Sequence, residues 1–187
     1  MSSIIETEIK FRIENVQALA ARLPSAGFRL ITPRTHEMNT LFDLRGRPLR
    51  RKGSLLRLRK YGNRWIVTFK AKATLGRHKS RKEIETSVED GSALAAILEG
   101  AGFKTMFRYE KFRSEWTDGD GHLLIDETPI GDFGEIEGPA DWIDSIAERL
   151  DIKPGQYITD SYAVLFLKWK RRTKSKARNM IFADVRH

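Results

Sequence analysis

Five short stretches of this chain set two side chains of like charge two positions apart among apolar neighbours. The pairs are Glu6 and Glu8, Arg57 and Arg59, Glu83 and Glu85, Lys111 and Arg113, and Glu135 and Glu137. A spacing of two puts both members on one face of a β-strand, whereas on a helix they would point in different directions. The residues between and around them are largely apolar, as in IETEIKF and FGEIEG. Such strands bury their apolar face. Their charged face is then either solvated or wrapped inward, and strict like-charge pairs are costly on an open sheet unless a counter-charge answers them. A curled sheet whose charged interior holds metal ions and an anionic substrate satisfies both demands.

The paired-glutamate strands come with helices. IETEIKF precedes VQALAARLPSAGF, KEIETSV precedes GSALAAILEGAGF, and GEIEGP precedes ADWIDSIAERLDI. Val16, Leu19, Ala20 and Leu23 recur at helical spacing, as do Leu94, Ile97, Leu98 and Ala101, and Trp142, Ile143, Ile146 and Leu150. The first two helices run into Ala-Gly-Phe, with glycine as the left-handed stop. Asp160 is the expected N-cap of a last helix through SYAVLFLKWKRR. In RWIVTFK, Trp65, Val67 and Phe69 alternate with Thr68 and Lys70. In HLLID, Leu123 and Ile125 oppose His122, Leu124 and Asp126. Ile5, Thr7, Ile9 and Phe11 are expected to back the first strand. Gly131 and Gly134 read as turn residues. The pattern predicts two tandem half-sheets in one α+β domain over residues 1–170, followed by a basic tail over 171–187.

Charge is unevenly distributed. The net charge is +9, but from Lys168 onward there are eight basic residues and one acid, so +7 belongs to the C-terminal end. That end reads as a solvated tail, dispensable for a small substrate, with polyanion contact as its alternative use. Residues 45–64 hold Arg45, Arg47, Arg50, Arg51, Lys52, Arg57, Arg59, Lys60 and Arg64 and no acid. There is no cysteine, which excludes disulfides and thiolate metal sites and fits a cytoplasmic location. The first residues meet charge too early for a signal peptide, and no apolar run approaches membrane-spanning length. Paired glutamates with scattered histidines favour a hard ion, Mg²⁺ or Mn²⁺, over zinc. Arg and Lys pairs suit phosphate oxygens. The chain carries none of the P-loop, GxSxG or HExxH signatures.

In order along the chain, Glu6-Thr7-Glu8-Ile9-Lys10 (ExExK), Arg57-Leu58-Arg59, Thr68-Phe69-Lys70, Glu83-Ile84-Glu85, Lys111-Phe112-Arg113, Ile125-Asp126, Gly134-Glu135-Ile136-Glu137 and Ser161-Tyr162 resemble the CYTH superfamily, the triphosphate tunnel metalloenzymes. The resemblance implies a closed, mostly antiparallel eight-stranded β-barrel tunnel flanked by helices. It also implies a divalent metal and a triphosphate held in the tunnel. Carried over by position, Glu6, Glu8, Asp126, Glu135 and Glu137 face metal. Lys10, Arg57, Arg59, Lys70, Lys111 and Arg113 hold phosphate oxygens. Glu83 and Glu85, with Lys10, are the catalytic candidates, one glutamate serving a second metal or the attacking water. The expected activity is hydrolysis of inorganic, thiamine or nucleoside triphosphate. A class IV adenylate cyclase is the alternative, and a non-catalytic polyphosphate-binding module is a third reading.

Overall fold

In the computed structural model, which describes residues 3–185, the paired-charge segments are strands and the sheet they form closes on itself. The chain runs β1 (Ser3–Ile13), α1 (Val16–Arg22), β2 (Arg29–Asp43), α2 (Pro48–Arg51), β3 (Leu55–Tyr61), β4 (Arg64–Lys70), β5 (Thr74–Leu75) and β6 (Lys79–Val88). It continues through α3 (Gly91–Gly100), β7 (Lys104–Thr117), β8 (His122–Thr128), β9 (Gly131–Glu137), α4 (Ala140–Arg149) and α5 (Tyr162–Thr173). The long strands follow the order β1-β9-β8-β7-β2-β3-β4-β6, and β1 pairs with β6 to shut the barrel. The two-residue β5 adds to β6 alone. Every pairing between named strands is antiparallel. The two expected half-sheets are therefore one closed eight-stranded barrel, with β1 lying between β9 from the C-terminal part of the chain and β6 from the N-terminal part.

Closure explains the charge pattern. Strands that leave no open edge cannot shed their inward side chains to solvent. Ile9, Phe11, Leu123, Ile125 and Ile136 point outward and are buried under α1 and α4, whose Leu19, Leu23, Ile143, Ile146 and Leu150 complete that core. Gly134 belongs to this packing and not to a turn, because a Cβ there would meet the Phe11 ring at 2.1 Å. Gly131, by contrast, does occupy the β8–β9 turn, at φ +113°. A second core gathers Tyr109, Ile130, Phe133, Tyr162, Leu165 and Phe166 where α5 crosses the barrel.

Three local expectations shift. The α5 N-cap is Ser161, whose side chain accepts from the Val164 amide, while Asp160 pairs with Lys168. α3 ends as expected in a Gly102 stop, but its apolar face is only half covered, with Ile97 66% exposed. On β1, Ile5 is likewise 74% exposed, beyond the reach of the helices.

The chain beyond α5 is not a solvated tail. Lys174 adopts a left-handed φ of +56°, and the backbone turns back. Met180 then pairs in parallel with Tyr109 through bonds to Arg108 and Glu110. That stretch of β7 precedes the start of its pairing with β8, so one edge was free to accept it. Met180 and Val185 are buried in the second core. Among the described residues no helix is long and apolar enough to cross a membrane.

Candidate active site

Alternation along the closed sheet brings the charged residues of β1, β3, β4, β6, β7 and β9 around one cavity of about 1580 Å³. Its lining runs from Asp120 and Gly121 in the β7–β8 turn to Arg47 and Arg50 in the β2–β3 connection. β2 and β7 are antiparallel neighbours, so those two connections lie at opposite ends of the barrel. The cavity is a tunnel.

Eight basic residues face this interior, and each has a carboxylate partner. Lys10 bonds Glu135 at 2.5 Å. Arg113 grips Asp126 through Nε and Nη2 at 2.6 and 2.7 Å and also pairs with Glu135. Lys111 reaches Asp126 at 2.7 Å and Glu37 at 3.6 Å. Arg59 lies between Glu85 (3.2 Å) and Glu37 (3.8 Å), and Arg57 is 3.6 Å from Glu85. Lys70 pairs with Glu6 and Glu83, Lys79 with Glu8, and Arg81 with Glu83 and Glu6. Burial makes these pairs strong and makes an unpartnered member costly. Burial alone would push Glu135 and Glu37 upward, but the surrounding Lys and Arg residues outweigh it and hold both well below the usual carboxylate range. At Arg113 burial acts downward, yet Asp126 and Glu135 outweigh it and hold the guanidinium far above an ordinary arginine.

Glu137 has no such partner among the described residues. It stands directly across from Glu8 in the β1–β9 register, and ligand atoms of Glu6, Glu8 and Glu137 lie within 4.8 Å of one another. Burial, together with the charges of Glu6 and Glu135, pushes the Glu137 carboxyl up to about 8. Three converging carboxylates, one of them uncompensated, match the donor set of a hard divalent ion. Of the five expected ligands the structure gathers these three. Asp126 and Glu135 are not in the group. Asp126 is fully buried and committed to Lys111, Arg113 and the Tyr162 hydroxyl, which donates to it at 2.6 Å. Glu135 is taken up by Lys10 and Arg113.

The profile of the CYTH domain matches residues 5–162. The chain belongs to the CYTH family. A candidate adenylate cyclase of Methanocaldococcus jannaschii is 27% identical to this CYTH chain over 173 residues, covering 87% of it and 98% of the relative. Among solved structures, a candidate adenylate cyclase from Vibrio parahaemolyticus superposes with a TM-score of 0.77 at 17% identity, over 89% of this chain and 99% of that one. A Hippeastrum protein, described as a candidate adenylyl cyclase with a dominant triphosphatase activity, gives 0.65 at 20% identity, over 87% and 95%. These likenesses establish the CYTH tunnel fold.

The remaining candidates fall at distinct places in the CYTH tunnel. Glu83 shares a hydrogen bond with Glu6. Burial first, and that bond second, push Glu83 up to about 7. At Glu6 burial also acts upward, but the same bond, with Lys70 and Arg81, outweighs it and carries the carboxyl below the usual range. Glu85 is more open and accepts from Thr68 at 2.8 Å as well as from the arginines. His122 sits at the mouth beside Gly121 and Asp120. Arg57 Nε and Arg59 Nε are buried donors that lack a partner among the described residues, as is fitting for groups that face an anion.

Sequence reasoning missed several lining residues. Lys79 and Arg81 repeat the spacing of two and could have been found by it. Behind the lining, Glu37 and Asn39 in β2 are fully buried polar residues with no like-charged twin. Their only signal was the alternation Glu37-x-Asn39-x-Leu41-x-Asp43.

Proposed function

We propose that this protein is a divalent-metal-dependent triphosphatase. The observation that carries the reading is the sorting of charge within one tunnel: a carboxylate trio at Glu6, Glu8 and Glu137, of which Glu137 has no cationic partner among the described residues, beside a bank of lysines and arginines. A purely anion-binding module would gain nothing from the trio. Glu6, Glu8 and Glu137 would hold the ion, Mg²⁺ or Mn²⁺ by donor type. The bound ion would neutralise phosphate charge as a Lewis acid. Lys10, Arg57, Arg59, Lys70, Lys111 and Arg113 would take the other phosphate oxygens, exchanging carboxylate partners for phosphate ones. Asp126 would serve as a positioning residue. Held by three donors, it fixes Lys111 and Arg113 where the transferring phosphoryl group passes.

Hydrolysis needs a proton acceptor for the attacking water. Glu83 faces the same cavity, hydrogen-bonded to Glu6, and is the carboxylate that would take this role. Water attacks the terminal phosphorus, its proton passes to Glu83, and the bridging P–O bond breaks to release orthophosphate and a diphosphate. Glu85, tied to Thr68 and two arginines, orients the clamp. The triphosphatase activity described for the Hippeastrum protein supports this reading.

A second reading has its own observation. Leu41, Met106, Phe107, Phe166 and Leu167 give the tunnel an apolar wall at the β2–β3 end. An organic group on the triphosphate could lie there, and with ATP the ribose 3′-hydroxyl could then replace water, as the adenylate cyclase names of the Methanocaldococcus and Vibrio proteins suggest. One experiment separates the two. Purified protein is given tripolyphosphate, thiamine triphosphate or ATP with Mg²⁺ or Mn²⁺, and orthophosphate and cyclic AMP are both measured. Orthophosphate without cyclic AMP is expected; stoichiometric cyclic AMP and pyrophosphate from ATP would replace the triphosphatase with a cyclase.

A further inference from the structure

The two ends of the tunnel differ in how their charges are answered. The eight interior cations are all paired with carboxylates. At the β2–β3 end, four more cations line the cavity: Arg47, Arg50, Lys170 and Arg178. None of the four takes part in an ion pair among the described residues. Two further acids of the lining, Asp43 and Asp160, are already committed. Asp43 accepts from the Leu44, Leu49 and Arg50 amides, and Asp160 pairs with Lys168. At the opposite mouth the lining carries Asp120, Glu115 and His122 instead.

Three separate parts of the chain assemble this basic collar. Arg47 stands immediately before α2 and Arg50 lies within it. Arg47 holds a left-handed φ of +55°, an unfavourable conformation for a residue with a side chain. Lys170 projects from α5, where Phe166 packs on Phe107 of β7. Arg178 is brought in by the returning C-terminal segment, which Met180 pins to Arg108 and Glu110. Residues 105–108 of β7 face Phe42 to Thr40 of β2, so all three parts meet at the same end of the barrel. The segment that carries most of the excess charge is thus a built element of the tunnel mouth.

Unanswered cations converging on the exit of a phosphate-type tunnel suit a ligand that stays anionic outside it. Building on the triphosphatase reading of the tunnel, we infer that the collar of Arg47, Arg50, Lys170 and Arg178 binds phosphates beyond the third of a linear polyphosphate chain, so that the tunnel accepts chains longer than triphosphate, threaded out at the β2–β3 end. A neutral ring at that mouth would use the apolar wall and leave all four cations unanswered.

The test compares the half-saturating concentration for tripolyphosphate, for long-chain polyphosphate and for ATP, each with Mg²⁺ or Mn²⁺, in the wild type and in Arg50→Ala/Arg178→Ala. Both side chains are exposed, so folding should survive, and Arg50→Lys/Arg178→Lys keeps the charge as a control. Two exposed charges acting together on phosphate are enough for about a tenfold effect. The expected result is a rise of about tenfold in the ratio of the long-chain value to the tripolyphosphate value, reversed in the lysine variant and weakened by salt. Competition by long chains against tripolyphosphate should weaken in parallel. An unchanged ratio, or a shift confined to ATP, would overturn the collar while leaving triphosphate turnover standing. Failure of the wild type to turn over or bind any of the three would sink the tunnel reading and the collar with it.

Discussion

At the scale of single residues, the informative side chains are those whose charge is not answered. Glu137 is the clearest case. Its carboxyl, near 8 in the fold, has an ordinary value of 4.5. Between those values the folded protein holds a proton that the unfolded chain has lost, so stability falls as pH rises through that window. Glu83 contributes with the same sign up to about 7. Metal-free protein should therefore melt at a lower temperature at pH 8.5 than at pH 5.5. Glu137→Gln should flatten that slope and raise the melting temperature at pH 8.5, while removing turnover and most of the stabilisation by added Mg²⁺ or Mn²⁺. Differential scanning fluorimetry across pH, with and without the ion, reads all of this. Asp126 makes the opposite case, a carboxylate so fully answered that it is not free for an ion. Asp126→Asn should destabilise the fold by about 3 kcal/mol in urea unfolding, because Arg113 and Lys111 lose their buried counter-charge. Its residual kcat/KM should fall with little change in the metal concentration needed for half activity; a large shift in metal requirement would mean that Asp126 is a ligand after all.

At the scale of elements, the strands were largely legible and their partners were not. A spacing of two reported β1, β3, β6, β7 and β9 because these strands carry like charges on one face. β2 escaped, since Glu37 and Asn39 are lone polar residues there whose importance comes from neighbours on β3 and β7. Asp126 was legible as an inward residue, but its commitment to Tyr162 depends on where α5 crosses the barrel, and no local pattern states that. The same holds for Gly134, which looked like a turn glycine and instead makes room for a ring from the adjacent strand. The C-terminal segment was the largest misreading. Its composition is that of a solvated tail, yet two apolar residues, Met180 and Val185, suffice to fasten it to a vacant strand edge. Met180→Ala should cost about 2–5 kcal/mol of stability, far more than truncating a side chain in a loose tail. Equilibrium denaturation decides the point, and a loss near zero would show that the segment is not anchored in solution.

At the scale of the whole molecule, position relative to the barrel wall sorts the basic residues into roles. Arg57 points into the tunnel, while Arg45, exposed in the turn between β2 and α2, stays outside the cavity lining. Arg57→Ala should lose on the order of 2–4 kcal/mol of transition-state stabilisation in kcat/KM for tripolyphosphate, if its guanidinium meets charge that develops during transfer. Arg45→Ala should change it by less than about twofold. Equal losses in the two variants would mean that the inward and outward faces have been misassigned.

The pairing of each of the eight inward-facing strand cations with a carboxylate makes loading of the tunnel an exchange. Lys70 is held by Glu6 and Lys79 by Glu8, and these glutamates belong to the trio. A glutamate that turns to an ion loosens its grip on its lysine, and a lysine that turns to phosphate frees its glutamate. Each guest thus prepares the place of the other, and by thermodynamic reciprocity the two enhancements must be equal. Calorimetric titration of Glu83→Gln, expected to be inactive, with tripolyphosphate at several Mg²⁺ concentrations should give an affinity that climbs with the ion by the same factor that tripolyphosphate adds to ion binding. A barrel that neutralises itself when empty is in this sense a two-key lock: neither the ion alone nor the phosphate alone opens the full set of ion pairs.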